Sequence, residues 1–157
     1  MEKYSEIKNK AIYFLSRREY SKAELTARLK KYEDFPPELI YQVIDELIEK
    51  DYLSDLRFQE QCVKMLLQKG CGPNKIVFEL RQKGIDNSAI AKVLDELDID
   101  WQEQALQLSF RKYGQKAIKD LKYLAKIQRH LYSKGFDTDT IYYVINYYKT
   151  YQNYETT

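Results

Sequence analysis

The feature that most constrains the fold of this chain is a helix–turn–helix unit with clearly marked ends. Leu80 lies in the last turn of one helix, and Gly84 can adopt the left-handed conformation that ends it. Ile85 can then fold back onto Leu80, and Asp86 is placed to cap the next helix. That second helix carries one apolar stripe, formed by Ile90, Val93, Leu94 and Leu97. The unit is therefore two short helices joined at a sharp angle by a glycine turn.

The same unit recurs at a spacing of about fifty residues. Gly135 stands fifty-one residues after Gly84, within a matching set of apolar and capping residues. Upstream, the sequence VIDEL at 43–47 nearly repeats VLDEL at 93–97. A fixed period of this length is typical of tandem structural repeats. We therefore predict an all-α protein, an elongated, curved stack of three tandem three-helix repeats, each helix-turn-helix-like.

The repeats also predict the domain boundaries. The first repeat is expected at 1–53, the second at 54–99 and the third at 100–150, with a polar C-terminal tail at 151–157. The composition agrees with helices, because 44% of the residues are hydrophobic and only 5 are Gly and 3 are Pro. One repeat alone is near the lower limit for independent folding, so we expect the cores to be completed by stacking.

Capping residues mark where several of the nine expected helices begin. The first helix is expected from about Ser5 to Arg18, and the ninth from Thr138 to about Tyr148, where it frays into the tail. Two capping boxes and a proline mark further starts. These signals are Ser21 with Glu24, Pro37, and Asp100 with Glu103, whereas the fourth helix can be capped by either Ser54 or Asp55.

Helical spacing predicts the inward faces of three further helices. The fourth helix is expected to bury Phe58, Cys62, Met65 and Leu66. The seventh is expected to bury Ala105, Leu108 and Phe110. The eighth is expected to bury Leu121, Leu124 and Leu131, with either Gln128 or Ile127 between them.

Charge is strongly segregated along a chain whose net charge is only +2. Residues 8–31 hold eight Lys or Arg against two Glu, and residues 33–55 hold eight Asp or Glu against one Lys. Residues 111–134 are basic again, with eight Lys or Arg against one Asp. Such segregation can present a basic surface to an anionic partner, although each solvated helix face can equally carry its own sign.

The sequence shows no set of residues that would support catalysis or hold a cofactor or metal. The single histidine, His130, has no nearby carboxylate or thiol at ligand spacing and is interpreted as a surface or partner-facing residue. Cys62 and Cys71 do not form a CxxC pair, and no phosphate-binding loop of the G-x-x-x-x-G-K-[ST] type is present. An enzyme is therefore the least favoured class of function.

Targeting signals are also missing from the sequence. There is no apolar run of about 18 residues, so no membrane span is expected. The segment MEKYSEIKNK lacks the apolar region of a signal peptide, and the two cysteines are interpreted as reduced thiols. We therefore expect a cytoplasmic protein.

The features that favour binding are cations and tyrosines. Arginine can hold carboxylates or phosphates by bidentate contacts, and tyrosine can anchor an interface or stack on a base. Fifteen tyrosines are present, and about half of the C-terminal group is expected to be buried. That group comprises Tyr142, Tyr143, Tyr147, Tyr148, Tyr151 and Tyr154.

The order and spacing of several motifs resemble the RecX regulatory proteins over nearly the whole chain. The motifs are S21-x-x-E-L25-x-x-x-L29, Y52-L-S-D-x-R-F58, G70-x-G-P73-x-x-I76-x-x-x-L80-x-x-x-G-I85 and L131-x-x-x-G-F136. The turn of the first repeat departs from the pattern, because it contains Pro36 and Pro37 and has no glycine. The resemblance implies a bacterial modulator of the RecA recombinase.

Such a modulator would bind the RecA filament on single-stranded DNA, in its helical groove, and limit recombinase, ATPase and co-protease activity. The protein would act as a monomer without a cofactor, with weak direct contact to DNA. The cations that recur along the chain are the predicted partner-binding residues: Arg17, Arg18, Arg28, Arg57, Arg81, Lys112 and Arg129. The alternative is a direct DNA-binding protein built from helix-turn-helix-like repeats, because basic segments alternate with tyrosines.

Overall fold

The computed structural model describes the backbone of residues 2–115 and 120–155, and side chains as far as residue 150. Over these residues the chain forms nine α-helices and no strand, which confirms the predicted all-α fold. The helices are α1 (Glu2–Arg17), α2 (Lys22–Lys30), α3 (Pro37–Glu49), α4 (Asp55–Gln68), α5 (Pro73–Gln82), α6 (Asn87–Leu97), α7 (Trp101–Tyr113), α8 (Leu121–Ser133) and α9 (Thr138–Glu155).

The predicted helix starts are confirmed by side chains that accept backbone hydrogen bonds. Ser21 Oγ accepts a bond of 3.0 Å from the amide of Glu24, three residues into the turn. Asp100 Oδ1 caps α7 in the same way, at 3.2 Å from the amide of Glu103. Ser54, rather than Asp55, caps α4, because Ser54 Oγ accepts from the amide of Arg57 at 3.2 Å. Pro37 occupies the first position of α3, as predicted.

The glycine turn between α5 and α6 has the predicted geometry. Gly84 has a φ of +82°, and the amide of Ile85 donates to the carbonyl of Leu80 at 3.1 Å. Both apolar side chains are buried, as expected for the hydrophobic pair that accompanies this type of helix end. The turn at Gly135, with a φ of +92°, repeats the arrangement between α8 and α9.

The described residues fall into two compact units. The first comprises Met1–Lys64 with Glu79–Ala91, and the second comprises Met65–Phe78 with Lys92–Thr157. In the first unit, α1, α2 and α3 enclose a core that includes Ile7, Leu25 and Ile44. In the second, α7, α8 and α9 enclose a core of their own. The boundaries predicted between the repeats stay predictions.

The predicted inward faces of α4 and α7 are partly wrong. In α4, Phe58 and Leu66 are buried as predicted, but Met65 is exposed and Cys62 is only half-buried. Val63 and Gln59 are buried, so the buried stripe is rotated by part of a turn. In α7, Ala105 is buried as predicted, but Leu108 and Phe110 are only half-buried, and Leu106 and Ser109 are buried in their place. Apolar residues on both sides of a stripe allow either rotation, and packing selects one.

The alternative left open for α8 is resolved in favour of Ile127. Leu124, Ile127 and Leu131 are buried, whereas Gln128 is exposed. The prediction that Leu121 is buried is wrong: it is exposed, because it is the first residue of α8.

Two helix ends lie further out than predicted. The first helix begins at Glu2 rather than Ser5, and α9 continues past Tyr148 to Glu155. Neither glycine nor proline occurs between Tyr148 and Glu155, so no residue there stops the helix.

Candidate interaction surface

Three of the seven predicted partner-binding residues come together in the first unit. Arg18 follows α1, Arg28 lies in α2, and Arg81 lies in α5, and all three line a cleft of about 380 Å³. Lys31 and Lys83 line the same cleft. We call the cleft formed by these five cations, together with Glu24, the basic cleft.

Two arginines of the basic cleft lie over aromatic rings. The guanidinium carbon of Arg18 is 3.7 Å from the ring centre of Tyr20, and that of Arg28 is 4.6 Å from the ring centre of Phe14. Both rings are buried in the core, so they form a fixed support. A guanidinium that stacks on a ring keeps its N–H edge available for carboxylate or phosphate oxygens.

Glu24 is the only carboxylate among the described residues that line this cleft, and it is bonded to two of the cations. Arg18 donates to both of its oxygens at 3.0 Å, and Lys83 Nζ donates at 2.7 Å. Burial opposes ionisation of Glu24, but the bonds from Arg18 and Lys83 outweigh it and lower its pKa. The bond to Glu24 in turn raises the pKa of Arg18. The carboxylate is therefore ionised at neutral pH.

Arg28, Lys31 and Arg81 have no carboxylate within ion-pair distance in the described part of the chain. The Nε of Arg81 donates to Asn87 Oδ1 at 2.9 Å, which leaves the outer nitrogens of this guanidinium available. Five cations and one carboxylate leave four excess positive charges around the cleft. This concentration of charge is much higher than the net charge of the chain suggests, and it favours an anionic partner.

Arg57 and Arg17 do not line the basic cleft. The Nε of Arg57 pairs with Glu19 at 3.1 Å, and its Nη1 pairs with Asp51 at 3.0 Å. Hydrogen bonds to Glu19 and then Asp51 raise the pKa of Arg57. Arg57 therefore joins the segments around α1 and α4 of the first unit. Arg17 is exposed and lies against the ring of Tyr13, with Nη1 3.4 Å from the hydroxyl oxygen.

The two remaining predicted residues lie in the second unit. Lys112 Nζ is 3.4 Å from Nδ1 of His130. His130 is half-buried, and burial, followed by the charges of Lys112 and Lys134, lowers its pKa. It is therefore less exposed than the sequence suggested and neutral at pH 7. Arg129 is exposed and borders a separate groove of about 450 Å³ between α8 and α9.

The C-terminal tyrosines divide between core and surface. Tyr148 is fully buried and donates its hydroxyl to the carbonyl of Gly114 at 2.8 Å, whereas Tyr142 is 70% exposed. Burial raises the pKa of Tyr148 to about 12. The side chains of Tyr151 and Tyr154 lie outside the described residues.

Sequence reasoning missed the part that Glu24 and the two aromatic rings take in the basic cleft. Glu24 was assigned to the capping box, which is a local role. The one available signal was the presence of two arginines among three aromatic residues at 13–20, which is compatible with stacking.

Neither a metal site nor a membrane span is found in the described parts of the chain. No group of three or more His, Cys, Asp or Glu side chains there could hold a metal ion. None of the helices in these ranges has the length and apolar character needed to cross a bilayer.

Three family models match the chain in the order of its repeats. They are described as the first, second and third three-helix domains of RecX, and they match residues 8–47, 54–94 and 98–145. The regulatory protein RecX of Acinetobacter baylyi is 42% identical, over 87% of this chain and 84% of that protein. The protein of the same name from Cronobacter sakazakii is 32% identical, over 97% of this chain and 94% of that protein.

Solved structures agree with these matches. The crystal structure of RecX from Lactobacillus salivarius superposes with a TM-score of 0.75 at 26% identity, and the alignment covers 95% of this chain and 98% of that one. A second crystal structure, of regulatory protein RecX, gives a TM-score of 0.73 over 92% of this chain and 71% of that one. At 24% identity, the second similarity supports the fold alone.

Proposed function

Because this chain belongs to the RecX family of regulatory proteins, we propose that it binds the RecA filament on single-stranded DNA. It lies in the helical groove of that filament and modulates, mainly by inhibition, the recombinase, ATPase and co-protease activities of RecA. Its role belongs to DNA repair and the SOS response. The protein acts in the cytoplasm as a monomer, and it regulates by binding rather than by catalysis.

Family membership carries this proposal, and the basic cleft supports it with a surface suited to an anionic filament. Arg28 and Arg81 are exposed, lack carboxylate partners in the described residues, and lie on different helices that border one cleft. Cations presented by two helices can hold a partner at two points. Binding of one protein molecule across neighbouring RecA subunits would oppose the rearrangements that accompany strand exchange.

The test is to titrate the purified protein onto RecA assembled on single-stranded DNA, and to follow ATP hydrolysis and strand exchange. We expect the wild type to inhibit both at stoichiometric concentration. The double variant Arg28→Ala with Arg81→Ala is expected to bind the filament roughly tenfold more weakly, since two charged contacts are lost. If the wild type neither binds the filament nor changes either activity, the proposal is rejected.

A control double variant removes the same number of positive charges outside the basic cleft. Lys64 in α4 and Lys92 in α6 are exposed and do not line the basic cleft. The double variant Lys64→Ala with Lys92→Ala should therefore inhibit as the wild type does. Circular dichroism should show the same helicity for both double variants. Equal weakening in the two would mean that net charge, rather than the basic cleft, determines binding.

The second candidate function is direct binding to DNA, and the four excess positive charges of the basic cleft favour it. A direct DNA-binding protein would bind naked DNA tightly, and its affinity would fall steeply with salt. Weak binding to naked DNA together with tight binding to the RecA filament favours the first function. Both measurements belong in the same series of experiments.

A further inference from the structure

Glu24 occupies the basic cleft in the way that an anionic ligand would. Its two oxygens each accept a hydrogen bond of 3.0 Å from Arg18, and one accepts a further bond of 2.7 Å from Lys83. This is the bidentate arrangement that arginine forms with carboxylates and phosphates. The backbone of Glu24 is also held in place, because its amide donates to the buried Ser21 Oγ. The carboxylate therefore holds two of the five cations.

The other three cations are arranged for a ligand longer than one carboxylate. Arg28 and Lys31 lie at the end of α2, and Arg81 lies at the end of α5. These two positions lie on different helices that line the cleft, and Glu24 does not neutralise the cations at either of them. A ligand that contacts both positions needs negative charges spaced along its length.

The uncharged lining of the cleft favours a sugar–phosphate backbone over a protein segment. It consists of Tyr20, which is 5% exposed, and of Ala23, Ala27, Gln82 and Gly84. Protein interfaces are anchored by large aromatic or aliphatic side chains in pockets. The exposed large hydrophobic side chains of the described residues all lie outside this lining. Contacts to phosphates, by contrast, need only cations and close approach.

We propose that Glu24 is an internal competitor for a phosphodiester backbone at the basic cleft. While its carboxylate holds Arg18 and Lys83, only the remaining cations can contact phosphates, and the affinity of the cleft for nucleic acid stays low. When the carboxylate is removed or drawn away, both cations are released to the ligand. This inference deepens the proposed function, because the same cleft would then contact the DNA strand of the filament.

The experiment compares two carboxylate variants for binding to a fluorescent oligothymidine, without RecA. Glu24→Gln frees Arg18 and Lys83, whereas Glu46→Gln makes the same charge change elsewhere in the first unit. Glu46 is a close match, because it is bonded to Lys8 at 2.9 Å and to Lys50 at 3.0 Å and does not line the cleft. Affinity is measured from 50 to 200 mM salt, a range over which phosphate contacts weaken strongly.

We expect Glu24→Gln to bind the oligothymidine roughly tenfold more tightly than the wild type, since two cations gain phosphate contacts. The slope of log K against log salt should become steeper by about 1.4 for a single strand. Glu46→Gln should match the wild type in both respects. Adding Arg28→Ala and Arg81→Ala to Glu24→Gln should abolish the gain.

Four results would overturn the inference. The first two are no gain in affinity for the oligothymidine in Glu24→Gln, and an equal gain in Glu46→Gln. The others are a gain that survives the loss of Arg28 and Arg81, and tighter binding of Glu24→Gln to polyglutamate of matched charge than to the oligothymidine. Because Glu24 also contributes to the fold, Glu24→Ala is measured beside it, and thermal unfolding identifies any variant that is not folded. Naked DNA makes the result independent of RecA. An inactive wild type in the filament assay would therefore reject the proposed function without deciding the role of Glu24.

Discussion

At the scale of single residues, Arg57 illustrates how tertiary contacts determine whether a cation can serve a partner. It is bonded to Glu19 and Asp51, and the second oxygen of Glu19 is shielded from solvent without a hydrogen-bond partner in the described residues. Removal of Arg57 would leave Glu19 without a cation. We predict that Arg57→Ala lowers the melting temperature more than Arg28→Ala does, and that Arg28→Ala weakens filament binding more. Thermal melts and filament titrations of both variants check these two comparisons. If Arg28→Ala lowers the melting temperature more and Arg57→Ala weakens filament binding more, Arg57 belongs to the binding surface.

Glu46 gives a prediction about pH. Hydrogen bonds from Tyr4, then Lys8 and Lys50, lower the pKa of Glu46 from 4.5 to about 2. A carboxylate whose pKa is lower in the folded state contributes stability above its unfolded pKa, and this is lost as the pH falls through the folded value. We therefore expect the difference in melting temperature between wild type and Glu46→Gln to be present at pH 6 and to shrink between pH 4.5 and 2. A difference that does not change with pH would contradict this assignment.

The sequence predicted those residue contacts that are local in the chain. The caps at Ser21 and Asp100 join atoms three residues apart, so the local pattern is sufficient to find them. One of the two partners of Glu24 was not predictable in this way, because Lys83 lies 59 residues away. A capping box predicts that the side chain of Glu24 turns back to Ser21, whereas in the fold its carboxylate is bonded to Arg18 and Lys83.

At the scale of elements, the repeat generates the same junction twice. In the first unit, the carbonyl of Lys83 accepts a bond of 2.6 Å from Ser21 Oγ, at the start of α2. In the second unit, the carbonyl of Lys134 accepts a bond of 2.7 Å from the amide of Gly72, at the start of α5. Each pair is offset from the other by fifty-one residues, which is the period of the sequence repeat. The glycine turn of one repeat therefore docks on the second helix of the repeat before it.

This junction predicts that Ser21 is more important than an ordinary helix cap. Ser21 is fully buried, caps α2 at 3.0 Å and donates to Lys83 at 2.6 Å, whereas Ser54 only caps α4, at 3.2 Å. We expect Ser54→Ala to lower the free energy of unfolding by about 1 kcal/mol, as loss of a cap does. Ser21→Ala should lower it by about 2 kcal/mol, since the Lys83 carbonyl also loses its partner. Chemical denaturation measures both values; equal losses would show that the junction bond adds nothing.

Helix faces were less predictable than helix ends. Pro37 and Gly84 act through their own backbone conformation, so their effect is visible in the sequence. The face of α4 depends on the rotation of the helix against its neighbours. Met65 and Val63 are both apolar, and helical periodicity alone did not distinguish them, although only Val63 is buried. The same ambiguity allowed Gln128 as an alternative to Ile127 in α8.

At the scale of the whole molecule, the fold could be predicted because its repeat occurs three times in the sequence. The three matched domains follow one another along the chain, and the same glycine turn recurs in the second and third. The basic cleft could not be predicted, since it unites residues from α2 and α5 that belong to different repeats. Its charged residues can be identified in the sequence, but the docking of one repeat on the next determines which of them lie close together.

The two compact units lead to a prediction about where local unfolding occurs when a glycine turn is disrupted. In a repeat protein, stability is approximately a sum of each repeat and its contacts with neighbours, so a defect has its largest effect nearby. A side chain at Gly84 would collide with Ala23 in the first unit, and one at Gly135 would collide with the backbone of Lys75 in the second. Both glycines have positive φ, so valine at either position should lower stability by about 1–3 kcal/mol from backbone strain alone.

Hydrogen exchange, read by mass spectrometry on the full chain, should locate the two effects. We expect Gly84→Val to speed exchange mainly in the first unit, because its turn docks on the start of α2, and Gly135→Val to speed it mainly in the second unit, because its turn docks on the start of α5. The two variants act as controls for each other, since each carries the same substitution at the equivalent turn. A uniform increase in hydrogen exchange over both units, identical for both variants, would mean that the two units open as one cooperative body. The regional pattern would mean that binding at the basic cleft requires only the first unit to be intact.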